Sequence, residues 1–287
     1  MKSICIVLSI FLMACQSDPP KPEPKLDKSE PTKNTKNLFQ KNGTTIEERF
    51  NPPSDYQRTE LSNNSFAHYL RTLTLKPAGS EVLYHNGATK PNHNVYEAVV
   101  DLQIGTKNLH QCADAIMRLK AEYLWKQKEY DQIHFNFTNG FRVNYTEWIK
   151  GNRIKLNGNK TSWVHKKSPS NSYEDFWNYM EIIFMYAGTA SLEKELISVK
   201  IEDAVIGDIL IQGGHPGHAV IIIDQATNLK TGKSVYLLAQ SYMPAQEIQL
   251  LTNRMDEQIS PWYELTEGDI LTPEWDFKSE DLRRFGE

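Results

Sequence analysis

Three side chains could together carry out acyl transfer. Cys112 is the only cysteine in the chain outside the first fifteen residues, the other two being Cys5 and Cys15. A thiolate is a strong nucleophile, and near the start of a helix the partial positive charge of the peptide dipoles favours it. His218 follows a glycine-rich stretch, Gly213-Gly214-His215-Pro216-Gly217, and opens the apolar run Ala219-Val220-Ile221-Ile222-Ile223. An imidazole at the rim of a buried strand can meet a cleft and act as a general base. The third group must orient that imidazole. Asp224 lies six residues further along the same strand, about 20 Å away at the rise of an extended chain, so it is out of reach. Gln240 lies on the next expected strand. With a turn centred near Leu229-Lys230, His218 faces Gln240 or Tyr242, and Gln240 is the expected orienter.

Each of these residues also has a plain structural role open to it. Cys112 falls on an apolar stripe with Leu109, Ile116, Leu119 and Tyr123, and a buried cysteine behaves as a small core residue. His215 and His218 are spaced as a possible metal pair, yet they sit on a Gly/Pro loop with no evident third ligand, so no metal and no cofactor is expected. Phe135, Phe137, Phe141, Tyr145 and Trp148 could line a groove, although aromatics at this density more often fill a core.

The elements that must position these groups follow from periodicity and turn chemistry. Helices are expected over Phe66–Thr72, Leu109–Lys128 (with Asn108 as cap), Glu174–Tyr186 and Ser191–Ser198. Strands are expected over 98–104 and 133–137, and Gly140 to Gly158 reads as irregular. Three more strands, 208–212, 218–224 and 235–242, should form an antiparallel meander, the last two joined by a turn carrying Gly232. Helices followed by a packed sheet make an α+β pattern.

The N-terminus carries a separate message. Met1-Lys2-Ser3 is followed by ten apolar residues (Ile4 to Met13) and then Ala14-Cys15. Ten residues rise about 15 Å as a helix, too little to cross a ~30 Å hydrocarbon layer, so residues 1–14 read as a secretory signal. Leu12-Met13-Ala14-Cys15 matches the lipobox of bacterial lipoproteins. Acylation of Cys15 would tie the chain to a lipid bilayer at about 0.8 kcal/mol per buried CH₂. Residues 15–54, with seven prolines and few large apolar residues, read as a disordered tether. Residues 55–287 read as one globular domain. With Cys15 consumed by lipid, Cys112 has no disulfide partner. A formal charge of −4 without a basic run argues against nucleic acid as a partner.

The run Gly207-Asp208 through Gly217-His218 to Asp224, together with the cysteine at a helix start, resembles papain-like cysteine hydrolases of the NlpC/P60 and CHAP type. That resemblance implies a helix packed on an antiparallel sheet, here with helical insertions. It also implies an amidase or peptidase that uses Cys112 and His218, beside which Gln240 is the third group expected from strand pairing. The stretches Gln111 to Ala115, His134 to Thr138, Gly213 to Val220 and Ala239 to Gln246 resemble a bacterial lipoprotein family, domain of unknown function 4846, over Phe66 to Phe285. This second resemblance implies no activity. The expectation is therefore a lipid-anchored protein of the cell envelope, at the outer membrane on its periplasmic side or surface, acting on wall peptide or another amide. The alternative is a non-catalytic lipoprotein that binds a ligand or partner with the same core.

Overall fold

The computed structural model describes residues 38–286. The signal segment, Cys15 and the tether as far as residue 37 lie outside the described residues. Among those described, no helix is long and apolar enough to cross a membrane.

The centre of the molecule is an antiparallel sheet built on one long strand, His218–Asn228. Its sequence is apolar on both faces, as a strand covered on both sides must be, and it is buried from His218 to Asp224. Ile209–Gln212 pairs with it on one side and Ser234–Gln240 on the other. The sheet continues outward through Gln249–Leu251 to Tyr96–Val99 in one direction, and through Leu282–Phe285 to Leu196–Ser198 in the other. Tyr56–Arg58 pairs with the far end of the central strand, and Trp262–Tyr263 with the Ser234–Gln240 strand. The expected meander is present. The sheet also gathers strands from both ends of the domain, so the order of helices first and sheet later is only locally true. The fold is mixed α+β.

One face of the sheet is covered by the helix Cys112–Gln127, which packs on the central strand. Ala113, Ala115, Ile116, Met117, Leu119, Ala121 and Leu124 are all buried. The helices Phe66–Arg71, Tyr173–Tyr186 and Thr189–Glu195 pack around it. It is therefore close to a core helix, buried on most of its circumference. Two of its buried polar residues pair with each other: Arg118 Nε lies 3.4 Å from Glu122 Oε1, which accepts from the Tyr173 hydroxyl at 2.5 Å, and the Arg118 guanidinium lies 4.5 Å from the centre of the Trp177 ring.

Three expectations need correction. The folded part begins before residue 55: Phe39 bridges to Phe50, a short helix spans Ile46–Arg49, and Ile46 and Phe50 are fully buried. Phe39, Ile46 and Phe50 are spaced along this polar segment so that each meets the core. The cysteine helix starts at Cys112 rather than Leu109. Asn108 does not cap it; its Oδ1 accepts from the Ala245 N–H at 2.8 Å, while Gln111 N–H donates to Asp114 Oδ2 at 2.9 Å. The span Gly140 to Gly158 is regular, with a strand Arg142–Asn144, a helix Tyr145–Ile149 and a hairpin strand Asn152–Asn157 paired to Lys160–His165.

Asp224 shows what it costs to put charge on the central strand. It is fully buried and is held by Arg58 Nε at 2.7 Å and Arg71 Nε at 2.6 Å. Replacing it with Ala leaves a buried guanidinium without its partner, which costs about 3–5 kcal/mol. Asp224→Ala should therefore lower the urea midpoint with an unchanged slope. A midpoint within experimental error of the parent would contradict this role.

Candidate functional site

Cys112 is the first residue of its helix, where the backbone N–H groups have no carbonyl partner one turn earlier. The helix packs on the central strand, and the backbone N–H groups of Ala113, Ala219 and Cys112 act to favour the thiolate. The residue before Ala219 is His218. The glycine loop that delivers this histidine is tightly packed: a Cβ at Gly217 would sit 2.5 Å from Thr189 Oγ1 and 2.8 Å from the Gln212 carbonyl oxygen. Gln212 pairs directly with His218 across the sheet.

The imidazole has a fixed set of neighbours. Its ring centre lies 4.7 Å from that of Tyr242, 5.5 Å from Trp275 and 5.9 Å from Phe277. His218 Nε2 is 2.7 Å from Gln240 Oε1. His218 thus meets both Gln240, by hydrogen bond, and Tyr242, by ring contact, while the strand register runs only as far as Ala239 opposite Ile221. Asp224, excluded as orienter on distance, is occupied by its two arginines.

The orientation of the Gln240 amide is set from behind. Gln240 Nε2 donates to Glu274 Oε2 at 2.6 Å, and the same oxygen accepts from Lys90 Nζ at 2.6 Å. Lys90 also donates to Gln246 Oε1 at 3.0 Å. With its NH₂ turned to a carboxylate, Gln240 presents its oxygen to the imidazole. That oxygen can only accept, so His218 carries its proton on Nε2 and keeps the lone pair on Nδ1. Nδ1 is the ring nitrogen nearer the backbone. Glu274 and Lys90 were not found by sequence reasoning. They lie far from His218 along the chain, in loops whose polar residues look like any other solvated turn.

Burial decides the protonation states. Cys112 is 7% exposed and His218 1% exposed. Desolvation pushes the thiol up to about 11, and the nearby Asp114 carboxyl adds to the rise. Desolvation holds the imidazole down to about 4; the Gln240 hydrogen bond opposes this and the Lys90 charge reinforces it. The expectation that the helix start lowers the thiol pKa is not met, because dehydration outweighs the dipole. At neutral pH the pair is thiol and imidazole, not thiolate and imidazolium.

The aromatic group that could have lined a groove is mostly core: Phe135, Phe137, Tyr145 and Trp148 are buried. His215 is exposed on its loop, and no cluster of three or more metal-ligating side chains occurs among the described residues. The family model for domain of unknown function (4846) matches residues 46–284, well over half of the chain. The chain matches no curated protein and no solved structure.

These protonation states can be read directly. Alkylation of Cys112 by iodoacetamide should be slow at pH 7 and keep rising beyond pH 9, because only the thiolate reacts. The His218 ring proton resonances should shift near pH 4 and stay flat from pH 6 to 8. A half-maximal alkylation rate below pH 8 would show that the pair is ionised instead.

Proposed function

We propose that the chain, a member of the domain of unknown function 4846 family, is a cysteine hydrolase of the cell envelope with a papain-like core. The observation that carries this reading is the His218 Nε2 to Gln240 Oε1 hydrogen bond of 2.7 Å, with the amide locked by Glu274, on the strand against which the Cys112 helix packs. A nucleophile at a helix start, a base opening a strand and a polar orienter ending the next strand is the arrangement that the resemblance to NlpC/P60 and CHAP hydrolases implies.

The chemistry begins from the neutral pair. As sulfur attacks an amide or ester carbonyl carbon, the thiol proton passes to His218 Nδ1. Free N–H groups at the helix start stabilise the oxyanion. The imidazolium formed is held by Gln240 through Nε2, and it returns the proton to the departing amine or alcohol as the carbon–nitrogen or carbon–oxygen bond breaks. A water molecule, deprotonated by the same nitrogen, then cleaves the thioester. The role of Gln240 is to keep the ring aimed and its tautomer correct. Substrate that displaces water from the site lowers no barrier by itself; the gain comes from dipoles already in place where charge develops.

The setting for this reaction is the bilayer surface, through acylation of Cys15, with wall peptide as the nearest supply of amides. A second reading rests on a specific observation: both reacting groups are almost fully buried. In that reading the same core is a non-catalytic ligand-binding or partner-binding module.

The two readings separate in one experiment. The full chain incubated with activated esters and wall-derived peptides should form a thioester on Cys112 detectable by mass spectrometry. Hydrolysis should fall by at least about 10²-fold in His218→Ala, the size of a lost general base, and by a smaller factor in Gln240→Ala. Hydrolysis unchanged in Cys112→Ala, or no adduct on Cys112 with any of these acyl donors, would leave only the binding module. Independently, Cys15→Ala should move the protein from the membrane fraction to the soluble one, and retention at the membrane would refute the lipid anchor.

A further inference from the structure

Away from the Cys112 site, the C-terminal half of the same helix lines a cavity of about 820 Å³, within the usual range for a small-molecule site. One wall is apolar: Phe66, Tyr123, Leu124, Phe135 and Phe285 all contribute. Set in that wall is Lys120. Its Nζ lies 5.0 Å from the centre of the Phe66 ring, 5.6 Å from Phe285 and 5.7 Å from Tyr123. An ammonium within about 6 Å of a ring face is attracted by it, but the rings satisfy none of its three N–H donors. Among the described residues Lys120 has no hydrogen-bond acceptor and no carboxylate at ion-pair distance, although Glu129, on the same lining, acts on it electrostatically; Lys90, by contrast, has both Glu274 and Gln246. A half-dehydrated cation with unused donors is a site for an anion.

The opposite side supplies a complementary group. Glu195 ends the Thr189–Glu195 helix and lines the cavity. Its Oε1 accepts from the Asn136 N–H at 2.7 Å, and its Oε2 lies 3.9 Å from His134 Nδ1. Burial raises this carboxyl to about 7. Near neutral pH it is partly protonated and so can donate to an oxygen rather than repel it. Arg142, also on the lining, adds a second cation, and Glu129 and Asp131 add carboxylates.

We propose that this cavity is a binding site for a small organic carboxylate with an apolar body, its hydrocarbon or aromatic part against Phe66, Tyr123 and Phe285 and its carboxylate on Lys120. An apolar amine would bring a second cation to Lys120. An inorganic anion would leave the ring wall unused. The site stands on residues separate from Cys112, His218 and Gln240, so it does not depend on the hydrolase reading.

Calorimetric titration of the full chain with sodium octanoate tests it, with octylammonium and inorganic phosphate as comparison probes. Octanoate should bind saturably, at least tenfold more tightly than either comparison probe, and Lys120→Met should weaken it at least tenfold while far-UV circular dichroism stays unchanged. Equal binding of octylammonium would show a merely greasy pocket, and equal binding of phosphate a merely cationic one; either result overturns the proposal, as does the absence of saturable octanoate binding. Should Lys120→Met fail to fold, the comparison of the three probes on the parent chain still decides the matter.

Discussion

Polar groups carried into the interior by the His218–Asn228 strand set the terms for much of the molecule. A strand covered on both faces has no water to offer an imidazole or a carboxylate, so each must find its partners in the protein. At one end Asp224 draws Arg58 from a short edge strand and Arg71 from the end of the Phe66–Arg71 helix, tying the first elements of the domain to its centre. At the other end His218 draws Gln240, which draws Glu274, which draws Lys90. Asp208, just before the neighbouring strand, is likewise buried and holds Arg284 Nε at 2.6 Å, fastening the last strand. Segments remote in the chain are thus joined by charge satisfaction as much as by apolar packing.

The same dehydration governs the reactive pair. A helix terminus stabilises an adjacent anion by about 0.3–1 kcal/mol when exposed, and by up to ~2 kcal/mol when partly buried. Loss of hydration around Cys112 is larger, and a neighbouring carboxyl adds to it, so the thiol keeps its proton. The imidazole loses its proton for the same reason. Neither group carries charge at neutral pH.

One helix supplies both candidate sites. Its first residue is Cys112, and two turns later Lys120 points into a separate cavity walled by aromatic rings. Burial over most of its surface makes this helix a rigid reference for each. Its internal Arg118–Glu122 pair, reinforced by Tyr173 and Trp177, lets charged side chains sit at positions that face other helices rather than water.

Much of this was legible locally. The apolar run after His218 announced a buried strand, the Gly232 turn set the pairing of that strand with the one ending at Gln240, and the helical period after Asn108 announced the helix that carries Cys112. Each of these rests on a short-range rule: periodicity, turn chemistry, or residue type. Three things depended on the tertiary structure. The true start of the cysteine helix was settled when Ala245, far along the chain, took Asn108 away from a capping role. Glu274 and Lys90 entered the histidine network from distant loops. The protonation of the pair followed from how much water the packed core excludes. Sequence neighbours determine which elements form and which way their side chains alternate; hydration and long-range partners are properties of the assembled interior, and no local pattern encodes them.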